Sequence, residues 1–428
     1  DTIILDGTDG TSVDAGDHLL LDASAASTDV GFFLNTEVGT TETPPEGFVN
    51  TSSLAANAVD NTKIASEAVK LENLAEESTD TTNRNVIING AMNVHQRGPD
   101  NQTGLGASSA YVIDRFEIDV STAARVSASQ ADVTDLPGFT HALKLDCTTA
   151  DTSIAAGEVL ILQQRVEGFN VQQLKATSTS TRAFTLSFYA KSNASRAIVS
   201  EINLTNGTNR QISKLHTIGT SWARYTMTVP AASSTQIDND NSDEMQINFW
   251  IHGGSTYTGG TLNDDALDSI TNANRAVGIG SIFASTDNTL EITGIQLEVG
   301  SVATPFEHRS FGEELALCQR YFYVPVNGTS QAFGMGTYYA SNLITMVLDF
   351  PTTMRAAPSV TSANGTNYFV SYSNGQGDTF NTWDNVQRGC PNYIALDVTG
   401  DGASGTAGDG CALATNSSAA YIFCDAEL

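Results

Sequence analysis

The chain has 428 residues, of which 40% are hydrophobic and 16% are charged, so it is long enough for about two or three folded units. Its 48 acidic residues against 20 Lys and Arg give a formal net charge of -28, which nucleic-acid phosphates and anionic lipid surfaces repel. No run of about 18 apolar residues is present, so we expect no segment that spans a bilayer. The charge and this absence together predict no nucleic-acid partner and no membrane partner.

Turn-forming residues are abundant and long helical patterns are scarce. The 36 glycines occur with many Ser, Thr and Asn residues, a composition that predicts an all-β protein. The five cysteines are scattered, and none forms a Cys-x-x-Cys pair or has histidines at zinc spacing. We therefore expect reduced, non-catalytic thiols. Because the chain begins at Asp1 rather than Met, we also expect an upstream segment that was cleaved or left out.

A short repeated phrase opens the chain. Ile3-Ile4-Leu5-Asp6 returns as Leu19-Leu20-Leu21-Asp22, with Gly- and Asp-rich turns between the two copies. Apolar triplets this short cannot bury themselves in one chain, so we expect them to stack on copies of themselves or on neighbouring chains. The intervening aspartates suit a calcium loop at first sight, but they lack the EF-hand order, and we interpret them as turn residues.

A second repeat follows, in which Asn57–Ser66 aligns on Glu67–Glu76. It places a larger apolar residue at every fifth position: Leu54, Val59, Ile64, Val69 and Leu74. Five residues advance an α-helix by about 500°, so no single helical face collects these side chains, and a heptad coiled coil is a poor description. The alternative to a multi-chain stem is that these residues form short interrupted helices in a linker. We predict that residues 1–84 form an N-terminal repeat stem completed by other chains.

Two long phrases frame the central part of the chain. The opening phrase is NVIINGAMNVHQRG (Asn85–Gly98), followed by DRF, and the closing phrase is LEITGIQLEVGSVATPFEHRSF (Leu290–Phe311). Together they resemble phrases of a family of bacteriophage virion proteins, over roughly residues 85–323. In that family they open and close a jelly-roll domain similar to a carbohydrate-binding module, in tail fibres and related appendages. The second repeat resembles tail-fibre shafts built from three chains, which implies a homotrimer that attaches to other virion proteins through residues 1–84.

Several central segments alternate with the period of a β-strand. In the closing phrase Ile295, Leu297 and Val299 alternate with polar residues. Further predicted strands are Phe184–Ser192, Arg196–Leu204, Ser221–Pro230, Met245–Gly253 and Ala276–Ser285. Polar, Gly- or Asn-rich connections separate them, as a sandwich requires. We predict a central jelly-roll β-sandwich over residues 85–311.

Two aromatic residues of this region are candidate contacts for a sugar ligand. Trp250 stands near the end of a predicted strand and Tyr257 in the loop that follows, where a sugar ring could stack on them. Packing within the domain is the alternative role for both. Trp222 lies in a phrase shared with the resembled family, and we interpret it as core or rim packing.

The loop DNDNSDE concentrates carboxylates. Asp238, Asp240 and Asp243, with Glu244 beside them, repel one another unless they are solvated or bridged, and oxygen-rich clusters of this kind suit Ca²⁺. Many jelly rolls of the resembled type hold a structural calcium, so these three aspartates are the candidate metal ligands. The loop lacks a recognisable ligand order, and we predict that no cofactor is required.

The last part of the chain, residues 312–428, predicts a short helix followed by a small C-terminal β-sandwich tip. Glu313 and Glu314 suit the first turn of the helix. The predicted strands are Leu343–Pro351, Ser359–Asn364, Tyr368–Asn374, Asn392–Gly400 and Ala419–Leu428. Phe380 and Trp383 are the candidate contact patch of this tip, with packing on its own sheet as the alternative.

Recognised catalytic motifs are missing from the sequence. It has no G-x-S-x-G, H-E-x-x-H, P-loop or dinucleotide fingerprint. A carboxylate pair distant in sequence leaves no motif, so a polysaccharide-degrading tailspike enzyme stays the alternative of another class. We predict a non-enzymatic structural fibre or spike on the virion surface that binds host surface glycans during adsorption. A capsid fibre or decoration protein is the alternative position on the particle.

Overall fold

The computed structural model describes residues 4–5, 19–20, 83–98, 101–106, 109–121, 125–207, 209–233 and 236–428. The chain divides into two compact units, Asp1–Asn73 and Leu74–Leu428. In the first unit, β1 (Ile4–Leu5) pairs antiparallel with β2 (Leu19–Leu20). These strands belong to the two copies of the short repeated phrase at the start of the chain, residues 3–6 and 19–22. The rest of the predicted stem, including the second repeat, lies outside the described residues.

The second unit starts with a β-sandwich. Its strands are β3 (Asn101–Leu105), β4 (Ala110–Ile113), β5 (Phe116–Val120), β6 (Val126–Asp132), β7 (His141–Cys147), β8 (Val159–Glu167), β9 (Lys175–Thr177), β10 (Ser180–Thr181), β11 (Phe184–Ser192), β12 (Arg196–Leu204), β13 (Arg210–Ile218), β14 (Ala223–Val229), β15 (Asp243–Gly253), β16 (Asp268–Ser269) and β17 (Thr289–Val299). Helical turns are short: α1 (Ser255–Thr258), and 3-10 turns at Gly168–Asn170, Gln172–Leu174, Asn272–Asn274 and Ile282–Ala284.

Two antiparallel sheets build this sandwich, and β9 and β10 form a separate hairpin. The six-stranded sheet has the order β14-β11-β17-β7-β6-β3, and the seven-stranded sheet has the order β16-β13-β12-β15-β8-β5-β4. Leu160 and Leu162 of β8 point into the shared core, where Phe188 of β11 meets Phe249 of β15 with ring centroids 4.9 Å apart. Because side chains alternate along a strand, the residues between these core positions lie on the outer faces.

The opening and closing phrases lie side by side in the fold. The Asn85 side chain donates to the Ile295 carbonyl at 3.1 Å and accepts from the Leu297 amide at 3.1 Å, so it pairs with β17 like an additional strand residue. The Ile295 amide donates to the Gly90 carbonyl at 2.9 Å, and a Cβ on Gly90 would stand only 2.1 Å from the Ile295 carbonyl oxygen. Hydrogen bonds between the two phrases therefore close the sandwich. Asn85 is needed for its side-chain bonds to β17, and Gly90 because a Cβ would collide with the Ile295 carbonyl.

A helix links the first sandwich to the rest of the unit. α2 (Phe311–Gln319) begins with a capping box, in which the Ser310 hydroxyl accepts from the Glu313 amide and the Glu313 carboxylate accepts from the Ser310 amide. The short helix predicted after the closing phrase is confirmed. Its Cys318 packs with Tyr321, Ile88 and Val94 of the opening phrase in a small buried cluster.

A second, smaller sandwich follows. Its strands are β18 (Phe322–Asn327), β19 (Ala332–Ala340), β20 (Leu343–Asp349), β21 (Ser359–Ser362), β22 (Phe369–Ser373), β23 (Gln376–Phe380), β24 (Asn385–Cys390), β25 (Tyr393–Thr399), β26 (Gly410–Thr415) and β27 (Tyr421–Asp425). They form a three-stranded sheet, β18-β27-β21, and a seven-stranded sheet, β23-β22-β26-β19-β20-β25-β24. Its core is separate from that of the first sandwich and includes Tyr338, Phe369 and Ile394.

Paired charges join the two sandwiches, in a cluster of Arg97, Arg115, Arg355 and Glu427 that we call the joint. Glu427 follows the last strand, and its carboxylate accepts from Arg97 at 2.8 Å and from Arg115. Arg355 donates to the carbonyls of Ala426 and Glu427, each at 2.7 Å, and to that of Asn241 in the first sandwich at 2.9 Å. The residues after β27 thereby fasten one sandwich to the other.

The all-β fold class is confirmed, and most predicted strands are present. The prediction of a strand at Ala276–Ser285 is wrong. The Gly280 amide donates to the carbonyl of Ala197, near the start of β12, and a 3-10 turn follows at Ile282–Ala284. All five cysteines are free thiols. In the part of the chain that the structure describes, no helix is long and apolar enough to cross a membrane. The boundaries at 84/85 and 311/312 stay predictions.

Candidate functional site

Polar side chains lie in register on the outer face of the seven-stranded sheet of the first sandwich. One row consists of Glu117, Gln163, Asn248 and Glu201, from β5, β8, β15 and β12. The next row consists of Arg165, Gln246 and Asn203, from β8, β15 and β12. Strand spacing makes these two rows, which we call the polar floor, about 7 Å deep along the strands and about 14 Å wide across them.

Amide side chains of the polar floor bond to one another across the strands. Gln163 Nε2 donates to Asn248 Oδ1 at 2.7 Å, and Asn203 Nδ2 donates to Gln246 Oε1 at 3.1 Å. Arg165 Nε donates to Gln163 Oε1 at 2.9 Å. Three atoms of the floor are left over: Asn248 Nδ2, Asn203 Oδ1 and Glu117 Oε2 have no hydrogen-bond partner, although these residues are only 1%, 5% and 7% exposed. A buried polar atom without a partner needs an explanation, and a water molecule or a ligand that bonds to it is one.

An apolar row borders the floor and is covered. Ile161, Trp250 and Val199 continue the same outer face, and residues 254–280, the cover segment, pack over them. Backbone bonds hold the cover segment in place, such as the Thr256 amide to the Ala156 carbonyl at 2.9 Å. The cover segment thus separates a dry apolar patch from the polar floor beside it.

A pocket of about 340 Å³ opens above the polar floor. Gln163, Arg165, Asn203, Gln246 and Asn248 line its base. Asp119, Asn209, Tyr257, Ile270, Asn272 and Arg275 are among the residues of its wall. Its volume is at the lower end of the range for small-molecule sites, and its lining is richer in amides than is usual for them.

Opposite charges are balanced at the base of the pocket. Glu201 is fully buried and accepts from Arg275 at 2.7 Å and from Trp250 Nε1 at 2.5 Å. Burial raises the pKa of Glu117, although Arg165 Nε stands 3.4 Å from its carboxylate and opposes the shift. Each arginine thus has a carboxylate of the sheet beside it, hydrogen-bonded in the case of Arg275 and 3.4 Å away in the case of Arg165.

The structure places two of the predicted sugar contacts at this pocket. Trp250 and Tyr257 both line it, with ring centroids 5.0 Å apart. Trp250 is fully buried and has the Arg275 guanidinium 4.8 Å from its ring centroid, so it packs beneath the wall and exposes no stacking face. Tyr257 is half-buried on the wall. Packing, the alternative for Trp250, is the role that its surroundings support.

The other two predicted contacts lie elsewhere. Phe380 and Trp383 are buried in the core of the C-terminal sandwich, at 0% and 6% exposure, with ring centroids 5.3 Å apart. The two rings belong to the buried core of this sandwich, so they form no surface patch. Packing on their own sheet, the alternative given above, describes both.

The three candidate calcium ligands do not converge. Asp240 Oδ1 accepts from the Ser242 amide at 2.9 Å, whereas Asp243 Oδ2 accepts from Gln246 Nε2 at 2.7 Å. At Asp238 the backbone carbonyl, not the carboxylate, bonds to Gln172 at 2.6 Å. Among the described residues, no group of three or more His, Cys, Asp or Glu side chains is placed to hold a metal ion. The Asp240 and Asp243 carboxylates instead accept hydrogen bonds from neighbouring residues of the same segment.

One constellation has the composition of a hydrolase triad. His252 Nδ1 is 2.8 Å from Ser281 Oγ, and His252 Nε2 is 3.3 Å from Glu158 Oε2. His252 is fully buried, burial lowers its pKa, and Ser281 Oγ also accepts the Phe283 amide as the cap of a 3-10 turn. A nucleophile needs an exposed hydroxyl with a free approach, so this hydrogen-bond chain has a structural explanation.

Comparison with known proteins finds similar chains among solved structures. No protein-family model and no curated protein matches the chain. Among solved structures, it is similar to the enzymatically active domain of bacteriophage CBA120 tailspike protein 4, at 13% identity with a TM-score of 0.25. That similarity covers 46% of this chain and 21% of the tailspike domain.

Carbohydrate-binding modules are also among the similar structures. The CBM22-1 xylan-binding domain of Paenibacillus barcinonensis Xyn10C is 8% identical with a TM-score of 0.25, covering 51% of this chain and 96% of that one. TmCBM61, in complex with β-1,4-galactotriose, is 10% identical with a TM-score of 0.23, covering 46% and 99%. These scores are too low to carry an argument about fold, ligand or activity.

Sequence reasoning did not find the polar floor. Its only local signal is alternation: Gln246 and Asn248 occupy outward positions between the apolar inward residues Met245, Ile247 and Phe249. In β8 the signal is weaker, because the inward residue between Gln163 and Arg165 is the polar Gln164. Alternation of this kind marks any solvated sheet face. The sequence gives no register between strands, so it does not reveal that the polar positions of four strands align.

Proposed function

We propose that this chain is a surface appendage subunit of a bacteriophage virion and that it binds host surface glycans in the pocket above the polar floor. The observation that carries the proposal is the set of amides aligned across neighbouring strands, with a donor on Asn248 and an acceptor on Asn203 left unpaired. Sugar hydroxyls donate and accept at once, so they suit such a surface. The phrases at residues 85–98 and 290–311, which resemble phage virion proteins, support the virion setting.

The proposed binding is weak at one site and strengthened by repetition. A small polar pocket with no exposed aromatic platform suggests single-site dissociation constants of about 10⁻³ to 10⁻⁶ M. A homotrimer assembled through residues 1–84 would present several pockets, and avidity would gain about 10² to 10⁴ if they engage together. Both the trimer and its place on the tail rather than the capsid belong to this proposal, and a reconstruction of the particle tests them.

We propose binding rather than cleavage. Both oxygens of Glu201 are occupied by Arg275 and Trp250, which leaves this carboxylate no free lone pair directed at a substrate. Glycoside hydrolysis needs two carboxyl groups that can exchange protons or attack the sugar. Incubation with host polysaccharide should therefore release no reducing ends, and a steady release would favour the tailspike enzyme instead.

A glycan array and host-cell adsorption test the binding directly. We expect Asn248→Leu to lower both by about tenfold, because it removes the unpaired donor and leaves a sugar hydroxyl without its partner. Asn364→Leu is the matched control, since Asn364 is exposed in the C-terminal sandwich. If the parent binds no glycan and Asn248→Leu adsorbs like the control, the proposal fails.

A further inference from the structure

We infer that the pocket takes the terminal, neutral sugar unit of a glycan rather than the interior of a long or acidic chain. The inference rests on the proposed glycan binding and specifies which part of a glycan is bound. It follows from which sides of the polar floor are closed, from the charges beside it and from its unpaired atoms.

Along the strands, the polar floor is closed at both ends. On one side, the cover segment encloses Trp250, which is fully buried. On the other side, Arg115 donates to the Arg165 carbonyl and is itself bound by Glu427, so the joint begins where the floor stops. The accessible depth is the two rows of the floor, about 7 Å.

A third side is closed across the strands. β13 follows β12 in the sheet, and its Gln211 and Ser213 are fully buried. Asn263 of the cover segment holds this edge, since its Nδ2 donates to the Gln211 carbonyl at 2.7 Å and its carbonyl accepts the Ser213 amide at 2.7 Å. A glycan that passes through a site needs two open ends. With three sides closed, the geometry admits the end of a chain.

Charge selects against acidic sugars. Beside the floor stand the carboxylates of Glu117, Asp119 and Glu201 and the guanidinium groups of Arg165 and Arg275, an excess of one carboxylate. Arg275 is paired with Glu201, and Arg165 Nε lies 3.4 Å from the Glu117 carboxylate, so carboxylates of the sheet offset the charge of both guanidinium groups. A chain with a net charge of -28 adds long-range repulsion of an anionic ligand.

Recognition by hydrogen bonds follows from the same residues. The unpaired Asn248 Nδ2 is a donor and the unpaired Asn203 Oδ1 is an acceptor, and both belong to the floor. Asn248 pairs with Glu201 and Asn203 with Gln246, so the two amides are diagonal neighbours on adjacent strands, about 7–8 Å apart. Hydroxyls on opposite sides of one sugar ring can reach a donor and an acceptor at that spacing. Sites of this kind discriminate strongly, because an analogue without the hydroxyl leaves the buried amide unpaired.

The test is a glycan array in which each neutral sugar is displayed twice, once as the free terminus and once capped by sialic acid. The full-length parent protein should bind at least one free neutral terminus, and capping should weaken that binding about tenfold or more. The methyl glycoside of the same sugar should compete. Asn248→Leu should lose the preferred binding, and Asn364→Leu should keep it.

The outcomes separate this inference from the proposed function. Equal binding to capped and free displays, or a preference for acidic termini, overturns the inference while glycan binding stands. Unchanged binding by Asn248→Leu also overturns it, because the glycan then binds away from the floor. Absence of binding to every display removes the proposed function and the inference together.

Discussion

The polar floor and the joint are both buried polar clusters in one compact unit, but the joint is built from ion pairs and the floor mainly from amides aligned across strands. In the joint, both carboxylate oxygens of Glu427 are engaged, and the Arg115 guanidinium lies 3.5 Å from the centroid of the Tyr321 ring. In the floor, Asn248 and Asn203 each keep an amide atom without a partner. Arg97 Nε and Arg115 Nε of the joint are also without a hydrogen-bond partner, so unpaired atoms alone do not separate the two clusters. The difference is that ion pairs to Glu427 hold the joint together, whereas a pocket opens above the floor.

The unpaired atoms carry an energetic argument. A buried donor or acceptor without a partner costs about 1–3 kcal/mol, and apolar side chains of similar size would avoid that cost. The neighbouring row shows the alternative within the same sheet, because Ile161, Val199 and Trp250 are apolar and covered. Changes at Glu427 and Asn248 test whether the two clusters have different roles, and a change at Glu244 tests a buried carboxyl that belongs to neither.

The largest effect is expected at the joint. Glu427→Ala leaves Arg97 and Arg115 buried without their carboxylate, so we expect the free energy of unfolding to fall by about 3–5 kcal/mol. Urea denaturation followed by tryptophan fluorescence measures this. Asp349→Ala, at an exposed position of the C-terminal sandwich, is the control. Equal stability of the two variants would show that the joint contributes little to the fold.

An intermediate, pH-dependent effect is expected at Glu244, a buried residue of β15 that also has an unpaired oxygen. Burial raises the pKa of Glu244 to about 7, above its usual value of 4.5. The folded state thus binds the proton of Glu244 more tightly than the unfolded state does. The stability gained from this protonation is fully present below pH 4.5 and is lost as the pH rises through about 7.

Glu244→Gln should therefore stabilise the protein at pH 8 relative to the parent, by up to about 3 kcal/mol, and by much less at pH 4.5. Urea denaturation at the two pH values measures the difference. A stabilisation that is the same at both values would mean that this carboxyl does not titrate with folding.

The smallest effect on stability is expected in the polar floor. Asn248→Leu removes an unpaired donor, and Gln163 Nε2 keeps Gln246 Oε1 at 3.3 Å as an acceptor, so unfolding should change by less than about 1 kcal/mol. The same variant should lose glycan binding. A destabilisation as large as that of Glu427→Ala would place Asn248 with the joint, as a structural residue, and end the contrast between the two clusters.

Local patterns in the sequence were sufficient for the fold class and for many of its elements. Alternation predicted β11 and β12 with their observed ends, and turn composition predicted the all-β class. The same alternation failed at Ala276–Ser285, where apolar residues such as Ala276 and Ile279 pack over Trp250 instead of continuing a sheet. A period of two describes which side chains are apolar, and it does not say what covers them.

What the sequence determined by itself is therefore the strand content, the capped helix after Ser310, and the paired phrases whose Asn85 and Gly90 close the first sandwich on β17. Only the tertiary structure decided the site. Gln163, Glu201 and Asn248 are ordinary outward residues of their own strands, and they become a pocket floor because strand register aligns them and the cover segment encloses one end. Trp250 and Trp383 were predicted as ligand contacts, but the structure buries both. Large aromatic side chains gain the most free energy from burial, so packing was the stronger requirement.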